Sequence, residues 1–226
     1  MHIEPGLVNG AKIVLSYGTA AAAALQTLRL SFGAARERSL ASLATRSVMS
    51  TALVFSFFEI LPHWPVGVSE VHLILGSTLF LLFGAAPAAI GLALGLLIQG
   101  LLFAPFDLPQ YGMNVTTLLV PLFGLQMLAK RLIAPGTAYV DLSYGQALAL
   151  STAYQGGVVL WVGFWAFYGQ GFSAANIAAV TTFGGAYMLV VALEPLVDLA
   201  VLAGAKAARG LETTGLVTPR LFRTAA

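Results

Sequence analysis

Long apolar stretches separated by short polar segments run along the whole chain of 226 residues. Stretches of about 20 apolar residues cross a bilayer as helices. Seven can be marked off, at about residues 9–30, 41–61, 71–84, 88–104, 113–129, 145–169 and 174–203. The third and fourth come from one apolar run, which Gly84 and Pro87 break, as in a tight turn between two short helices. The pattern predicts an all-α integral membrane protein, a bundle of seven transmembrane helices in a single domain over residues 1–203.

Composition supports a membrane protein and excludes several kinds of chemistry. Charged residues make up 9% of the chain, against about 25% in soluble domains. The absence of cysteine excludes disulfides, thiolate metal sites and cysteine nucleophiles. The net charge of +2 is too small to favour nucleic acid as a partner. No G-x-x-x-x-G-K-[ST] signature is present, so we expect a non-enzymatic protein that does not itself hydrolyse ATP.

The basic residues indicate an orientation in the membrane. With the N-terminus outside, ten of the eleven lysines and arginines fall on the cytoplasmic side, and only Lys12 lies outside. Lysine and arginine in short loops stay cytoplasmic. The cytoplasmic set is Arg29, Arg36, Arg38, Arg46, Lys130, Arg131, Lys206, Arg209, Arg220 and Arg223. The prediction is N-terminus outside, C-terminus inside, with residues 204–226 as a basic cytoplasmic tail.

This orientation places all three histidines on the outer side, together with several carboxylates. The histidines are His2, His63 and His72, and the carboxylates are Glu4, Glu59, Glu70 and Asp107. No cleavable signal peptide is evident, and a bulky second residue hinders removal of the initiator methionine. We therefore expect the mature protein to begin with the free amine of Met1.

A free Met-His start can chelate a metal ion. The Met1 amine, the His2 amide nitrogen and the His2 imidazole close two fused rings, and a fourth nitrogen completes a square suited to Ni(II), Cu(II) or Co(II). The fourth ligand is His72 or His63. We favour His72, because it lies at the start of an apolar stretch, whereas His63 lies beside Trp64 in a loop typical of the membrane interface.

Other polar residues have structural interpretations beside functional ones. Ser69 and Glu70 fit a helix cap and a helix-start carboxylate. Asn114, with its neighbours 116 and 117, either satisfies local hydrogen bonds or orients a metal-bound imidazole. Glu194 and Asp198, four residues apart, are expected near the cytoplasm, where they would pair with inner arginines or contact a partner.

Four segments together resemble the CbiM/NikM family, in register over about residues 1–125. They are MHI at residues 1–3, G-x-S-x-x-H-L-x-L-G at Gly67–Gly76, L-L-I-Q-G-L-L-F at Leu96–Phe103 and G-M-N-V at Gly112–Val115. Members of this family are the substrate-capture (S) components of energy-coupling-factor (ECF) transporters, a class of ABC importers, for cobalt and nickel. The resemblance implies seven spans with the N-terminus inserted on the outer side.

The resemblance also implies a site and partners. Ni(II) or Co(II) would be transported substrate, with no resident cofactor, held by Met1, His2 and His72 with Asn114 nearby. The partners implied are a transmembrane scaffold (T) subunit, ATPase subunits and a small accessory membrane subunit, in the cell membrane of a bacterium or archaeon.

The sequence departs from the family pattern at two places. Pro5 and Gly6 follow Glu4, and the segment from Ser69 to His72 is one residue longer than usual, which should shift the helix phase at His72. Two other functions are compatible with seven spans. A receptor or assembly protein leaves the Met-His start unexplained, and a membrane metalloenzyme lacks a motif such as H-E-x-x-H.

Overall fold

Seven α-helices and one short β-hairpin form the part of the chain that the structure, a computed structural model, describes, residues 2–207. The helices are α1 (Val14–Glu37), α2 (Leu40–Ile60), α3 (Gly76–Phe83), α4 (Ala85–Leu102), α5 (Tyr111–Leu132), α6 (Tyr144–Gln170) and α7 (Ala174–Ala207). The hairpin strands are β1 (Trp64–Val66) and β2 (Ser69–Val71). Short 3₁₀ turns cover Gly10–Ile13, Pro105–Gln110 and Tyr139–Asp141.

The predicted helical membrane bundle is confirmed. Five helical segments in residues 2–207 are long and apolar enough to cross a bilayer. They are α2, α4, α6, α7 and the segment Pro105–Leu132, which contains α5. The eight residues of α3 extend for about 12 Å, less than half of a hydrocarbon core of about 30 Å. Met1 and the tail beyond residue 207, with Arg209, Arg220 and Arg223, lie outside the described residues.

The third helix begins later than the sequence pattern predicted. Residues 69–71 form β2, residues 72–75 form a loop, and α3 starts only at Gly76. The predictions that His72 opens a helix, and that Ser69 and Glu70 cap one, are therefore wrong. The extra residue before His72 falls in this strand-and-loop segment, so it does not change the phase of α3. Pairing of β2 on both of its edges explains the difference, since a strand satisfies backbone groups that a helix would otherwise bond internally.

The predicted break between the third and fourth helices is confirmed. Gly84 takes a positive φ of 92° and separates α3 from α4, which begins at the next residue. Pro87 lies in the first turn of α4, where the missing amide hydrogen costs no helical hydrogen bond.

The short helix α3 is the centre of the bundle. It contacts α2, α4, α5, α6 and α7, and all of its residues except Leu82 are buried. Leu79 of α3, Leu92 of α4 and Tyr154 of α6 are fully buried in the surrounding core. A helix this short cannot reach water at both ends, so its terminal backbone groups need partners inside the protein.

Charged side chains supply these partners. Near its N-terminus, Glu194 of α7 accepts the backbone amides of residues 74 and 75, and Asp198 accepts the side-chain hydroxyls of residues 77 and 78. At its C-terminus, Nη1 of Arg46 donates to the Phe83 carbonyl at 2.7 Å. The signs suit the helix dipole. Glu194 and Asp198 are fully buried and bond to this segment, so the expectation that they pair with inner arginines or contact a partner is wrong.

Candidate metal-binding site

Residues 2–4, which we call the chain start, lie beside the β-hairpin as a third extended segment. The amide of Glu70 donates to the carbonyl of His2 at 3.0 Å, and the amide of Glu4 donates to the carbonyl of Val68 at 3.1 Å. These bonds run antiparallel to β2. The ladder fixes the backbone on both sides of residue 3, and therefore the position of His2.

Ile3 anchors this segment in the bundle. Its amide donates to Oδ1 of Asn114 on α5 at 2.9 Å, while the hydroxyl of Ser69 donates to the His2 carbonyl at 2.9 Å. The Ile3 side chain is fully buried in a cluster with Val8, Met113 and Trp165. An apolar anchor directly after His2 thus holds the chain start inside the protein.

A tight turn then directs the chain to the surface. The amide of Leu7 donates to the carbonyl of Glu4 at 3.1 Å, with Pro5 and Gly6 at the two central positions and Gly6 at φ 82°. Proline followed by a residue of positive φ is the type II pattern. The departure from the family pattern at Pro5 is thus accommodated by a turn outside the ladder. Nε2 of Gln170 closes the turn by donating to the Leu7 carbonyl at 2.8 Å.

The three histidines lie close together, with His72 between the other two. The ring centroid of His72 lies 6.3 Å from that of His2 and 6.4 Å from that of His63, and both pairs meet edge to face. His2 and His72 are 4% and 3% exposed, whereas His63 is exposed. Phe58 packs on the His72 ring at 4.9 Å. Of the other two histidines, only His72 is buried together with His2.

Two carboxylates face the same imidazole atoms. Oε2 of Glu70 lies 3.9 Å from Nδ1 of His2 and 3.8 Å from Nδ1 of His72. Nδ1 of His2 is also hydrogen-bonded to the carboxylate of Asp107, in the 3₁₀ turn that leads into α5. Nδ1 is the ring nitrogen that can close a chelate ring with the amide of its own residue. The Nδ1 atoms of both histidines therefore lie next to the same acidic side chain, Glu70.

The charge at this locality is negative. Burial raises the pKa of Glu4 above its ordinary value, and repulsion from Glu70 and Asp107 raises it further. Glu70 and Asp107 lie beside the imidazoles, and Glu4 is close enough to be repelled by both carboxylates, so this region favours a cation over an anion.

Asn114, Thr116 and Thr117 make hydrogen bonds to the backbone and to a neighbouring helix. Oδ1 of Asn114 accepts the Ile3 amide, so this residue orients the main chain next to His2. The hydroxyl of Thr117 donates to the Met113 carbonyl at 2.9 Å, and Nε1 of Trp161 on α6 donates to the hydroxyl of Thr116 at 3.2 Å. The interpretation of both threonines as local and interhelical hydrogen-bond partners is confirmed.

Residues 2–207 contain no group of three His, Asp or Glu side chains arranged to hold a metal ion. A site built from two imidazoles and two backbone nitrogens would not form such a group. Met1 lies outside the described residues, so its predicted role stays a prediction. Sequence reasoning placed Asp107 on the outer side but gave it no role. Its position between Phe106 and Leu108, in an otherwise apolar loop, was the available signal.

The fold and the site together define a multi-pass helical membrane protein. In this protein residues 2–4 pair with the β-hairpin and place His2 beside the buried His72. Residues 2–210 match the family described as CbiM, the cobalt uptake substrate-specific transmembrane region, and the chain belongs to this family. Membership confirms the resemblance drawn from the sequence.

A solved structure supports the fold independently. The protein is similar to a chain described as a truncated transition metal transporter, with a TM-score of 0.65 and 17% sequence identity, over 90% of this chain and 99% of that one. At this identity the similarity concerns the fold alone. No curated protein matches the sequence.

Proposed function

We propose that this protein is the substrate-specific membrane component of an ECF-type ABC importer and that it captures Ni(II) or Co(II) outside the cell for uptake. One observation carries the proposal: the chain start is built into the β-hairpin so that His2 lies beside the buried His72. An exposed, unanchored Met-His start would have no such partner. The family description, substrate-specific transmembrane region for cobalt uptake, supports the same function.

The proposed ligands are four nitrogens: the Met1 amine, the His2 amide, Nδ1 of His2 and a ring nitrogen of His72. Four nitrogens in a plane suit Ni(II), and Co(II) also accepts them. Nδ1 of His2 is hydrogen-bonded to the carboxylate of Asp107, so binding of a metal ion at this nitrogen would displace a proton. His63, exposed beside His72, is the reserve ligand.

The proposed topology has the N-terminus outside and the C-terminus in the cytoplasm, in the cell membrane of a bacterium or archaeon. The protein itself carries out no catalysis. A transmembrane scaffold subunit and separate ATPase subunits supply the energy, and a small accessory membrane subunit completes the complex. The absence of a phosphate-binding loop from the sequence supports this division of labour.

The test is metal content and absorption spectrum of purified protein, with intact mass used to verify that it starts at Met1. We expect one bound Ni(II) or Co(II) with a square-planar spectrum. Acetylation of the Met1 amine should abolish it, because one of the proposed nitrogen ligands and one chelate ring are lost. His72→Ala should also abolish it, whereas His63→Ala should leave it intact. Equal binding by the acetylated protein would overturn the proposal.

A further inference from the structure

Beyond the ligands themselves, we propose that Glu194 is a positioning residue for His72: its buried carboxylate holds the loop that carries this histidine. The inference rests on the proposed function, since it concerns the same site. Glu194 lies on α7, far along the chain from the histidines, and had no assigned role in metal capture.

The contact is between the carboxylate and the backbone of the loop. Oε1 of Glu194 accepts the amide of Leu75 at 2.9 Å and also the amide of Ile74. These amides lie two and three residues after His72, between the histidine and the first turn of α3. One oxygen atom therefore fixes the direction in which the chain leaves the histidine.

The loop has an uncommon backbone conformation that needs such a restraint. Leu75 has a φ of 56° and a ψ of 31°, in the left-handed region, and no other non-glycine residue among 2–207 has a positive φ. Leucine avoids this region because its Cβ crowds the backbone. Such conformations persist where surrounding contacts over-determine them, and they concentrate at functional sites. The restraint here is the pair of hydrogen bonds to Glu194.

The carboxylate is itself held from behind. Its other oxygen, Oε2, accepts a hydrogen bond from Nε2 of Gln155 on α6, and the hydroxyl of Tyr187 donates to Oε1 of Gln155 at 2.8 Å. All three side chains are fully buried. These hydrogen bonds fix Glu194 relative to α6 and α7. Through Glu194, the two helices therefore also fix the position of His72.

Asp198, one turn further along α7, offers a matched comparison. It accepts hydrogen bonds from the hydroxyls of Ser77 at 2.6 Å and Thr78, both inside α3. It is as deeply buried as Glu194 but bonds to the helix and not to the loop. A change at Asp198 therefore reports the general cost of disturbing this buried cluster.

The experiment compares Ni(II) affinity and spectrum in three variants of the full chain. Glu194→Gln keeps an acceptor oxygen at the same reach, and Gln155 can turn its amide to match, so we expect Kd within about threefold of wild type. Glu194→Asp keeps the charge but falls short of the loop amides, and Kd should rise at least tenfold, as is common when a supporting hydrogen bond of a metal ligand is lost. The Ni(II) absorption band should shift in this variant. Asp198→Asn should lower the melting temperature yet leave Kd and spectrum unchanged.

Opposite results would overturn the inference. If Glu194→Asp binds as wild type does, the hydrogen bonds from Glu194 to the loop do not position His72. If Glu194→Gln is the variant that fails, the charge of Glu194 is decisive and its reach is not. If a variant does not fold, hydrogen exchange on the wild-type protein is measured instead. There the amides of residues 74 and 75 must be protected before metal is added, and rapid exchange would contradict the proposal. Loss of binding in wild type, or its survival in His72→Ala, would instead refute the proposed metal site.

Discussion

The amide of Ile3 donates to Oδ1 of Asn114 at 2.9 Å, across 111 positions of the sequence. This bond joins the chain start to the fifth helix at the residue that follows His2. Together with the ladder to β2, this bond holds His2 and Ile3 in the interior of the protein. Metal capture by the proposed site therefore depends on residues that do not touch the metal.

Removing this acceptor should weaken metal binding. Asn114→Ala leaves the Ile3 amide buried without its partner, which costs about 2 kcal/mol, and about half of that loss should appear as an increase in Kd of about fivefold. Titration of Ni(II) into the purified variant measures it. Asn114→Asp retains an acceptor oxygen and is the control. Unchanged affinity in Asn114→Ala would show that the ladder alone orders the chain start.

A side chain at Gly67 should displace the hairpin. The φ of this residue is 62°, and an added Cβ would lie 2.2 Å from the carbonyl oxygen of Ala179 on α7. Gly67→Ala therefore combines backbone strain with a clash that a rigid helix cannot relieve, and we expect Ni(II) binding to be lost. Gly171→Ala is the matched control, since φ is 69° there and an added Cβ meets no described atom within 4 Å. Binding by Gly67→Ala equal to that of the control would contradict the prediction.

The carboxylate of Glu70 should assist capture through its charge. Its Oε2 lies less than 4 Å from Nδ1 of both His2 and His72. Because the carboxylate is partly exposed, we expect Glu70→Gln to reduce Ni(II) affinity by about 1 kcal/mol, or about fivefold, at low salt. The difference should shrink as salt is added, since ions screen exposed charges. Titrations at two ionic strengths measure it, with Glu59→Gln on α2 as the control.

Arg46 should stabilise the bundle without affecting the metal directly. Its side chain is 4% exposed, and it bonds the last carbonyl of α3 at 2.7 Å and the Ser42 carbonyl at 3.2 Å. Arg46→Ala leaves the end of α3 without its charged partner, so the free energy of unfolding should fall by about 2 kcal/mol. Thermal unfolding in detergent tests this. Arg36→Ala, at an exposed position near the end of α1, should change the melting temperature little.

The sequence by itself determined the class of protein and the approximate positions of most helices, and it predicted the residues of the proposed site. Apolar stretches of membrane length and the break at Gly84 are local properties of the chain, so periodicity and composition reveal them. The family resemblance, carried by short motifs at His2, His72 and Asn114, depends on the same kind of local information.

The tertiary structure decided the path of the chain around His72 and the roles of the buried acids. Residues 69–71 are a strand because residues 2–4 and β1 pair with them, and the pairing with residues 2–4 joins segments more than 60 residues apart. Glu194 accepts amides of the loop before α3, which have no partner within that short buried helix, and Asp198 accepts the hydroxyls of its first turn. Hydrogen-bond partners so distant in sequence leave no periodic signal along the chain, so only the folded bundle reveals them.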